Sequence, residues 1–357
     1  MAPVIKELAR HSGRVRSLVC STGQHRQMLD QVFNLFAIQP DFELNVMQNN
    51  QALSQLTASL LTAVDDVVKQ ARPDCILAQG DTTTVLVASL VAYYHRIKFG
   101  HVEAGLRTGD RYRPFPEEMN RCVADRLADY LFAPTERSRQ NLLREGYPES
   151  SITVTGNTVI DALLDVAARP YDWANSPLAT LPTGQRLVLI TAHRRESFGE
   201  PFRELCEAIR EVARRFQSDG VHFVYPVHLN PNVRQPVGEI LAGIPNVSLI
   251  EPLDYLALIQ LMKRATLILT DSGGIQEEAP GLKIPVLVMR DTTERPEGVE
   301  AGVVRLVGTS RERIVAETTR LLRHPDELGC MARGINPYGD GRAAERIVAR
   351  LLQAHAA

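Results

Sequence analysis

Three short motifs carry carboxylates in places where they could transfer protons. Asp81 lies in AQGDTTT and Glu103 in HVEAGLR, each directly after a short apolar run, and Glu117 lies in PFPEEMNR. The carboxyl ends of parallel strands meet at one edge of a sheet, so these groups could share a cleft. Carboxylates in one cleft take different pKa values and can serve as acid and base. The structural alternatives are a helix N-cap for Asp81 and helix initiation for Glu117.

A histidine and two arginines follow another apolar run. His193, Arg194 and Arg195 lie in AHRRESFG, and His228 ends a later run in YPVHLNP. Imidazole titrates near neutral pH and can transfer a proton, while guanidinium groups can stabilise an anionic leaving group. The alternative for His193 is a buried histidine that is hydrogen-bonded to the backbone.

The segment TDSGGIQEEAP favours phosphate binding. Ser272, Gly273 and Gly274 fall where a strand would lead into a helix, so free N–H groups and the helix dipole would favour a phosphate there. Glu278, one turn further, could accept the hydroxyl groups of a ribose. The sequence contains neither G-x-x-x-x-G-K-[ST] nor an early G-x-G-x-x-G, so neither an ATPase loop nor bound NAD is predicted. A plain tight turn is the alternative for the glycine pair.

The elements that would position these residues alternate along the chain. Short apolar runs, separated by helical patterns such as 53–70, 118–128 and 202–216, predict buried parallel strands. The predicted strands are 17–20, 75–77, 100–102, 131–133, 152–155, 187–191, 222–227, 247–250, 267–269, 286–289 and 303–306. This alternation indicates the α/β class with doubly wound sheets.

A proline-containing stretch at 167–184 interrupts the alternation and predicts a linker. We therefore expect a Rossmann-like domain over 1–166 and a second over 167–340, with the active site in the cleft between them. The chain opens with a helical pattern instead of a strand, so the first domain would lack its first strand. A C-terminal helix within 341–357 would cross back to the first domain.

Composition and charge narrow the class of protein. The 357 residues include 40 Lys and Arg against 42 Asp and Glu, a net charge of −2, and 44% of them are hydrophobic. This balance argues against a nucleic-acid partner. The sequence contains no run of about 18 apolar residues, so we expect no membrane-spanning helix. The five cysteines are widely spaced and never form C-x-x-C. They predict a reduced, cytoplasmic protein with neither disulfides nor a zinc site.

The motifs, taken in order, resemble those of the non-hydrolysing UDP-N-acetylglucosamine 2-epimerases. The matching stretches, from Ser21 to Gly341, are STGQHRQMLDQ, QGDTTT, HVEAGLRTGD, PFPEEMNR, TGNTVIDALL, HRRESFG, YPVHLNPNVR, LTDSGGIQEEAP, RDTTERPE and NPYGDG. The resemblance implies a GT-B architecture, a homodimer, and reversible interconversion of UDP-GlcNAc and UDP-ManNAc for bacterial surface polysaccharide synthesis. It implies no cofactor and no metal.

The resemblance also assigns roles to residues. UDP would be eliminated across C1–C2 to give 2-acetamidoglucal and then added back, which requires an acid, a base and stabilisation of the diphosphate. The catalytic group would be Asp81, Glu103, Glu117 and His193, with the base for the C2 proton left open among the carboxylates. The residues that bind UDP and the sugar would be His228, Ser272, Gly273, Gly274, Glu278 and Arg295.

A second UDP-GlcNAc site activates many bacterial members of this family. The residues that match it are Gln24, His25, Gln27, Arg194 and Glu196. At a position where several members carry arginine, this sequence has Ser59. The family also opens with a strand and a Gly-Thr-Arg-Pro-Glu loop that are absent here. The alternatives are therefore a hydrolysing 2-epimerase that releases ManNAc and UDP, and a truncated, inactive UDP-binding subunit.

Overall fold

The structure, a computed structural model, describes residues 1–23, 26–46 and 51–354. The chain divides into two units. The first unit comprises Met1–Ala162 and Gly339–Ala357, and the second comprises Leu163–Tyr338. The second unit is therefore one continuous segment of the chain, whereas the first also includes the last described helix.

The first unit is built from parallel strands and helices. Its strands are β1 (Cys20–Ser21), β2 (Phe42–Glu43), β3 (Cys75–Gln79), β4 (Lys98–Val102), β5 (Tyr130–Ala133) and β6 (Ile152–Val154). Its helices are α1 (Ala2–Arg10), α2 (Arg26–Phe36), α3 (Leu53–Ala71), α4 (Thr83–His95), α5 (Glu117–Leu127) and α6 (Glu136–Arg144). Helix α7 (Thr158–Ala167) begins in this unit and ends in the second, so the division between the two units lies within this helix.

β3, β4, β5 and β6 form one parallel sheet in that order, and apolar side chains cover both of its faces. Leu77 of β3 packs in the cluster that contains Ile347, whereas its neighbour Ile76 packs in the cluster that contains Leu60 and Val87. Adjacent residues of a strand point to opposite faces, so one strand supplies both clusters. Along α3 the buried residues recur every fourth position, which gives this helix one apolar stripe toward the sheet.

The first predicted strand, 17–20, is wrong in position. Cys20–Ser21 forms β1, which pairs in parallel with β2. The reason lies at Val19, whose N–H donates to Asp41 Oδ2 at 2.7 Å and whose carbonyl oxygen accepts the N–H groups of Asp41 and Phe42. These bonds occupy the backbone groups of Val19, and regular strand pairing begins at the next residue, Cys20. Within the described ranges, β1 and β2 form a sheet of their own, separate from β3–β6.

The second unit contains a single larger parallel sheet. Its strands are β7 (Arg186–Thr191), β8 (Val221–Pro226), β9 (Val247–Ile250), β10 (Ala265–Thr270), β11 (Val286–Val288) and β12 (Val304–Leu306). Its helices are α8 (Glu200–Arg215), α9 (Pro231–Leu241), α10 (Tyr255–Arg264), α11 (Gly273–Gly281), α12 (Pro296–Glu300), α13 (Arg311–Arg323) and α14 (Pro325–Arg333). The last helix, α15 (Ala343–Ala354), belongs to the first unit.

The strand order of this sheet is β9-β8-β7-β10-β11-β12. Because β7 and β10 are neighbours although they are not consecutive, the order reverses between them. Ligands of doubly wound sheets bind outside the carboxyl ends of the strands at such a reversal. Thr191 and Thr270 mark those ends, and their hydroxyl oxygens lie 2.6 Å apart. The site residues that follow β7 and β10 therefore emerge side by side.

The predicted α/β class with parallel, Rossmann-like sheets is confirmed. Most predicted strands match the observed ones within two residues, since a strand that is buried on both faces leaves a continuous apolar run in the sequence. Among the helices in the described ranges, none combines the length and apolar character needed to cross a bilayer.

Candidate active site

In the first unit, Asp81 and Glu103 leave the carboxyl ends of neighbouring strands. The N–H of Gly80 donates to the carbonyl oxygen of Val102 at 3.1 Å, which joins the two strand ends. A Cβ added at Gly80 would lie 3.7 Å from Glu103 Oε2, so that carboxylate sits against the residue before Asp81. Glu103 itself has φ 74°. For a residue other than glycine, this left-handed backbone conformation costs about 1–3 kcal/mol of free energy, and such strain is concentrated at functional sites.

Helix α5 approaches the same turn and holds Asp81 in place. Arg121 Nη2 lies 2.5 Å from Asp81 Oδ2, and Asn120 Nδ2 donates to the backbone carbonyl oxygen of Asp81 at 2.9 Å. Glu117, the first residue of α5, lies one turn before Arg121 and therefore on the same side of the helix. The structure thus brings the end of the helix that carries Glu117 to the turn that carries Asp81.

Glu118, the second glutamate of the motif, has an anchoring role. Its side chain is buried, and its Oε1 accepts the backbone N–H groups of Thr108 and Gly109 at 3.0 and 3.1 Å. Its Oε2 lies 3.3 Å from Arg121 Nη1. Glu118 therefore fixes the loop that precedes α5, whereas its neighbour Glu117 is only partly buried and remains available for chemistry.

In the second unit, His193 is positioned by a buried carboxylate. Asp271 follows β10, is 0% exposed, and accepts the backbone N–H groups of His193 and Arg194 through Oδ2, both at 2.7 Å. The N–H of Asp271 in turn donates to the carbonyl oxygen of Thr191 at 3.0 Å. Asp271 thereby ties the segment after β7 to the end of β10.

The ring of His193 stacks on the ring of His228, which follows β8. The centroids are 5.1 Å apart and the planes differ by 11°. Burial lowers the pKa of His193, and the charges of His228 and Arg194 act in the same direction, while Asp271 opposes them. The structure thus unites two histidines that the sequence placed on separate strands, and it favours a neutral His193 near pH 7.

The predicted phosphate segment begins α11. Ser272 is its N-cap residue and makes no side-chain capping bond, and the helix begins at Gly273. A Cβ at Gly274 would meet nothing within 4 Å, whereas one at Gly273 would lie 3.3 Å from Arg194 Nη2. The glycines therefore leave the helix N-terminus open and let an arginine approach it, which suits an anionic ligand.

Arg194 belongs to a network of alternating charges. Its Nη2 lies 3.2 Å from Glu294 Oε1, Arg290 Nη1 lies 2.8 Å from Glu294 Oε2, and Arg290 Nε lies 2.8 Å from Glu196 Oε1. Both candidates for the second ligand site in this unit, Arg194 and Glu196, are therefore linked through shared partners. Of the others, Gln24 and His25 lie outside the described residues. Gln27 lies on α2 with only its backbone described.

Glu278 is buried on α11 and accepts a hydrogen bond from Tyr255. The phenol oxygen lies 2.6 Å from Glu278 Oε1. Burial raises the pKa of Glu278 to about 7, against the effect of the Tyr255 hydrogen bond and with the charge of Glu277 adding to the rise. Next to it, Glu277 forms an ion pair with Arg295. Glu277 and Glu278 therefore both lie on α11 beyond the glycines, and Arg295 contacts the first of them.

Three residues that contact candidate site residues were not predicted from the sequence. Arg121 could have been found, because it lies four residues after Glu117 on a predicted helix. Asp271 lies in the TDSGG motif, although nothing there reveals that its side chain turns back to the segment after β7. Tyr255 gives no local signal, because it reaches Glu278 only through the packing of α10 near α11.

Most of the chain is similar to proteins of a known family. The family described as UDP-N-acetylglucosamine 2-epimerase matches residues 6–352. The UDP-N-acetylglucosamine 2-epimerase of Escherichia coli (strain K12) is 54% identical over 357 residues, covering 98% of this chain and 94% of its own. That of Bacillus subtilis (strain 168) is 48% identical over 352 residues, covering 99% and 91%.

A solved structure extends the comparison to the fold. It is the crystal structure of UDP-GlcNAc 2-epimerase from Neisseria meningitidis bound to UDP-GlcNAc. It superposes with a TM-score of 0.87 at 46% identity and covers 99% of this chain and 96% of that one. This similarity confirms the predicted GT-B class. The family match covers almost all of the sequence, and the chain belongs to the UDP-N-acetylglucosamine 2-epimerase family.

Proposed function

We propose that this protein interconverts UDP-GlcNAc and UDP-ManNAc by inverting C2 of the sugar. The observation that carries the proposal is the match of residues 6–352 to the 2-epimerase family. The motifs that contain Asp81, His193 and Ser272 lie within the part of the chain that the structure describes. The family relationship supports the reaction and the substrate. The assignment of individual residues rests on the geometry of each unit.

The second unit is suited to hold the UDP part of the substrate. The open start of α11 at Ser272, Gly273 and Gly274 offers N–H groups to the diphosphate. Glu278, one turn further along the helix, can accept both hydroxyl groups of the ribose when it is ionised. Arg295 and His228 complete the polar surface on which UDP and the sugar would lie.

The chemistry proceeds by elimination and re-addition. A base removes the proton at C2, the C–H electron pair forms the C1=C2 bond, and the C1–O bond breaks with its electrons leaving on UDP. A proton delivered to the other face of C2 and the return of UDP to C1 give the epimer. Electrons balance without an oxidant, so the reaction requires no redox cofactor, and we propose that no metal takes part.

Asp81, Glu103 and Glu117 would share the proton transfers at C2, and His193 would act near the departing diphosphate. Arg121 holds the Asp81 carboxylate in place, and a carboxylate so positioned can act as a base. A neutral His193 can accept a proton or donate a hydrogen bond.

The functional form would be a homodimer. Tyr93 and Tyr94 on α4 are each 64% exposed and their ring centroids lie 6.2 Å apart, a surface that a second copy could cover. Light scattering coupled to gel filtration tests this proposal. The cytoplasmic location and the role in surface polysaccharide synthesis remain predictions, as does activation by a second UDP-GlcNAc.

Chromatographic separation of the products formed from UDP-GlcNAc tests the proposed function. UDP-ManNAc, formed until both UDP-sugars reach a constant ratio, supports the 2-epimerase. Free ManNAc together with UDP supports the hydrolysing alternative. UDP binding by calorimetry without any turnover supports the inactive subunit.

A further inference from the structure

A buried histidine of the first unit contacts the turn that carries Asp81. His101 of β4 is 0% exposed. Its Nδ1 lies 2.6 Å from Asp125 Oδ1 and its Nε2 lies 2.8 Å from the carbonyl oxygen of Gly80. A carbonyl oxygen can only accept, so Nε2 carries a hydrogen. When Nδ1 also carries a hydrogen and donates it to Asp125 Oδ1, the ring is an imidazolium.

The second oxygen of Asp125 is also met by hydrogen-bond donors. Its other oxygen, Oδ2, accepts the backbone N–H of Gly105 at 3.1 Å and lies 2.8 Å from Arg107 Nη1. Arg107 in turn binds Glu145 through two nitrogens, at 2.7 and 2.8 Å. Charge-assisted hydrogen bonds of this kind are shorter and stronger than those between neutral groups. The result is a chain of alternating charges that runs from His101 to Glu145.

The groups that face His101 come from three elements. They are Asp125 from α5, the carbonyl oxygen of Gly80 from the turn after β3, and Glu103 from the end of β4 itself. Burial opposes a charge on the ring, but the hydrogen bonds to Asp125 and Gly80 and the charge of Glu103 outweigh it. The pKa of His101 is therefore raised above its ordinary value.

We infer that His101 is a positioning residue. Its protonated ring fixes the Gly80–Asp81 turn, and its charge acts on the carboxylate of Glu103 in the site. The ring holds the carbonyl oxygen just before Asp81, while Arg121 holds the Asp81 side chain from α5. Its charge also offsets the repulsion among acidic groups gathered at one strand edge. The catalytic consequence rests on the proposed function, whereas the charge of the ring does not.

Nitrogen-15 NMR of the full chain, labelled at its histidines, tests the charge. The resonances of His101 are assigned by their loss in His101→Gln. We expect both ring nitrogens to remain protonated at pH values above the ordinary histidine pKa of about 6.5. A ring that is neutral at pH 7 would overturn the inference, whatever the protein's activity.

Kinetics of His101→Gln test the positioning role. We expect kcat to fall about 100-fold, as for a misplaced catalytic group, with KM little changed. The acidic limb of the kcat/KM profile should move to higher pH, because carboxylates ionise less readily once a nearby cation is removed. Activity and pH profile equal to those of the wild type would overturn the inference.

The matched control is His95→Gln. His95 Nε2 also lies 2.6 Å from an aspartate oxygen, Asp65 Oδ1, but this pair is half-buried between α4 and α3 of the same unit. This control should keep both kcat and the pH profile. UDP binding by calorimetry reports on the second unit and should survive in His101→Gln. If that variant does not fold, Asp125→Asn replaces it, and its His101 ring should lose a proton near neutral pH. An unchanged ring there would overturn the inference.

Discussion

The ring of His193 lies parallel to the ring of His228, with their centroids 5.1 Å apart. A charge on His228 would repel a charge on a His193 ring this close, so His228 disfavours protonation of His193. This relationship, together with burial, keeps the pKa of His193 below its ordinary value. The second unit therefore presents a neutral imidazole close to the predicted site of the diphosphate.

Replacing His228 with glutamine should raise the pKa of His193, because one cause of its depression is removed. The titration of the His193 ring protons, followed by NMR, measures this shift. His222→Gln is a control within the same unit, since its ring bonds to Ser248 and lies near the start of β8, whereas His228 follows the end of that strand. A His193 pKa that stays constant or falls in His228→Gln would contradict the role given to the stack.

Replacing Asp271 with asparagine should shift the same titration in the opposite direction. The negative charge of Asp271 raises the pKa of His193, so its removal should lower that pKa further. Asp271→Ala should in addition destabilise the protein by about 1–3 kcal/mol, because two backbone N–H groups lose their acceptor. NMR titration and urea unfolding measure the two effects. An Asp271→Asn variant with a higher His193 pKa would show that charge is not the cause.

UDP affinity should decrease as the pH falls through about 7. Burial raises the pKa of Glu278 to about 7, so below that value the carboxyl group is protonated and accepts hydrogen bonds less well. The Tyr255 hydroxyl favours the ionised form, so Tyr255→Phe should move the midpoint of the pH dependence upward. Calorimetric titration with UDP at a series of pH values measures both effects.

The matched control for this prediction is Tyr147→Phe in the first unit, which should leave the midpoint unchanged. If UDP affinity proves constant between about pH 6 and 8, Glu278 either does not contact the ribose or is already ionised in the free protein.

Gly105→Ala should destabilise the protein far more than Gly109→Ala. The two glycines have φ 83° and 80°, so alanine at either position costs about 1 kcal/mol of backbone strain. Only at Gly105 would the new Cβ collide, 2.4 Å from the carbonyl oxygen of Ser138. At Gly109 it would meet nothing within 4 Å. We expect a loss of about 3 kcal/mol or more for Gly105→Ala.

Urea unfolding of both variants gives the two free energies of unfolding. Equal losses would mean that α6 moves away from Gly105 without cost. A selective loss of activity in Gly105→Ala is also expected, because Asp125 accepts the N–H of this residue.

The sequence indicated the strand ends and the motifs that follow them, but not the contacts between motifs. Asp81 and His193 were placed correctly after strands because parallel strands are continuous apolar runs. The support that Arg121 gives to Asp81 spans 40 residues and depends on how α5 packs. The Tyr255–Glu278 bond likewise depends on packing, which periodicity does not report. The position of β1 was missed because the side chain of Asp41, distant in sequence, replaces a strand partner at Val19.

Proton NMR of the full chain with UDP-GlcNAc in deuterated water tests whether the C2–H bond is broken. Elimination and re-addition predict UDP-ManNAc that carries deuterium at C2, with deuterium also entering the UDP-GlcNAc pool as the reaction reverses. UDP-ManNAc that keeps its original C2 proton, or no UDP-ManNAc at all, would contradict the mechanism.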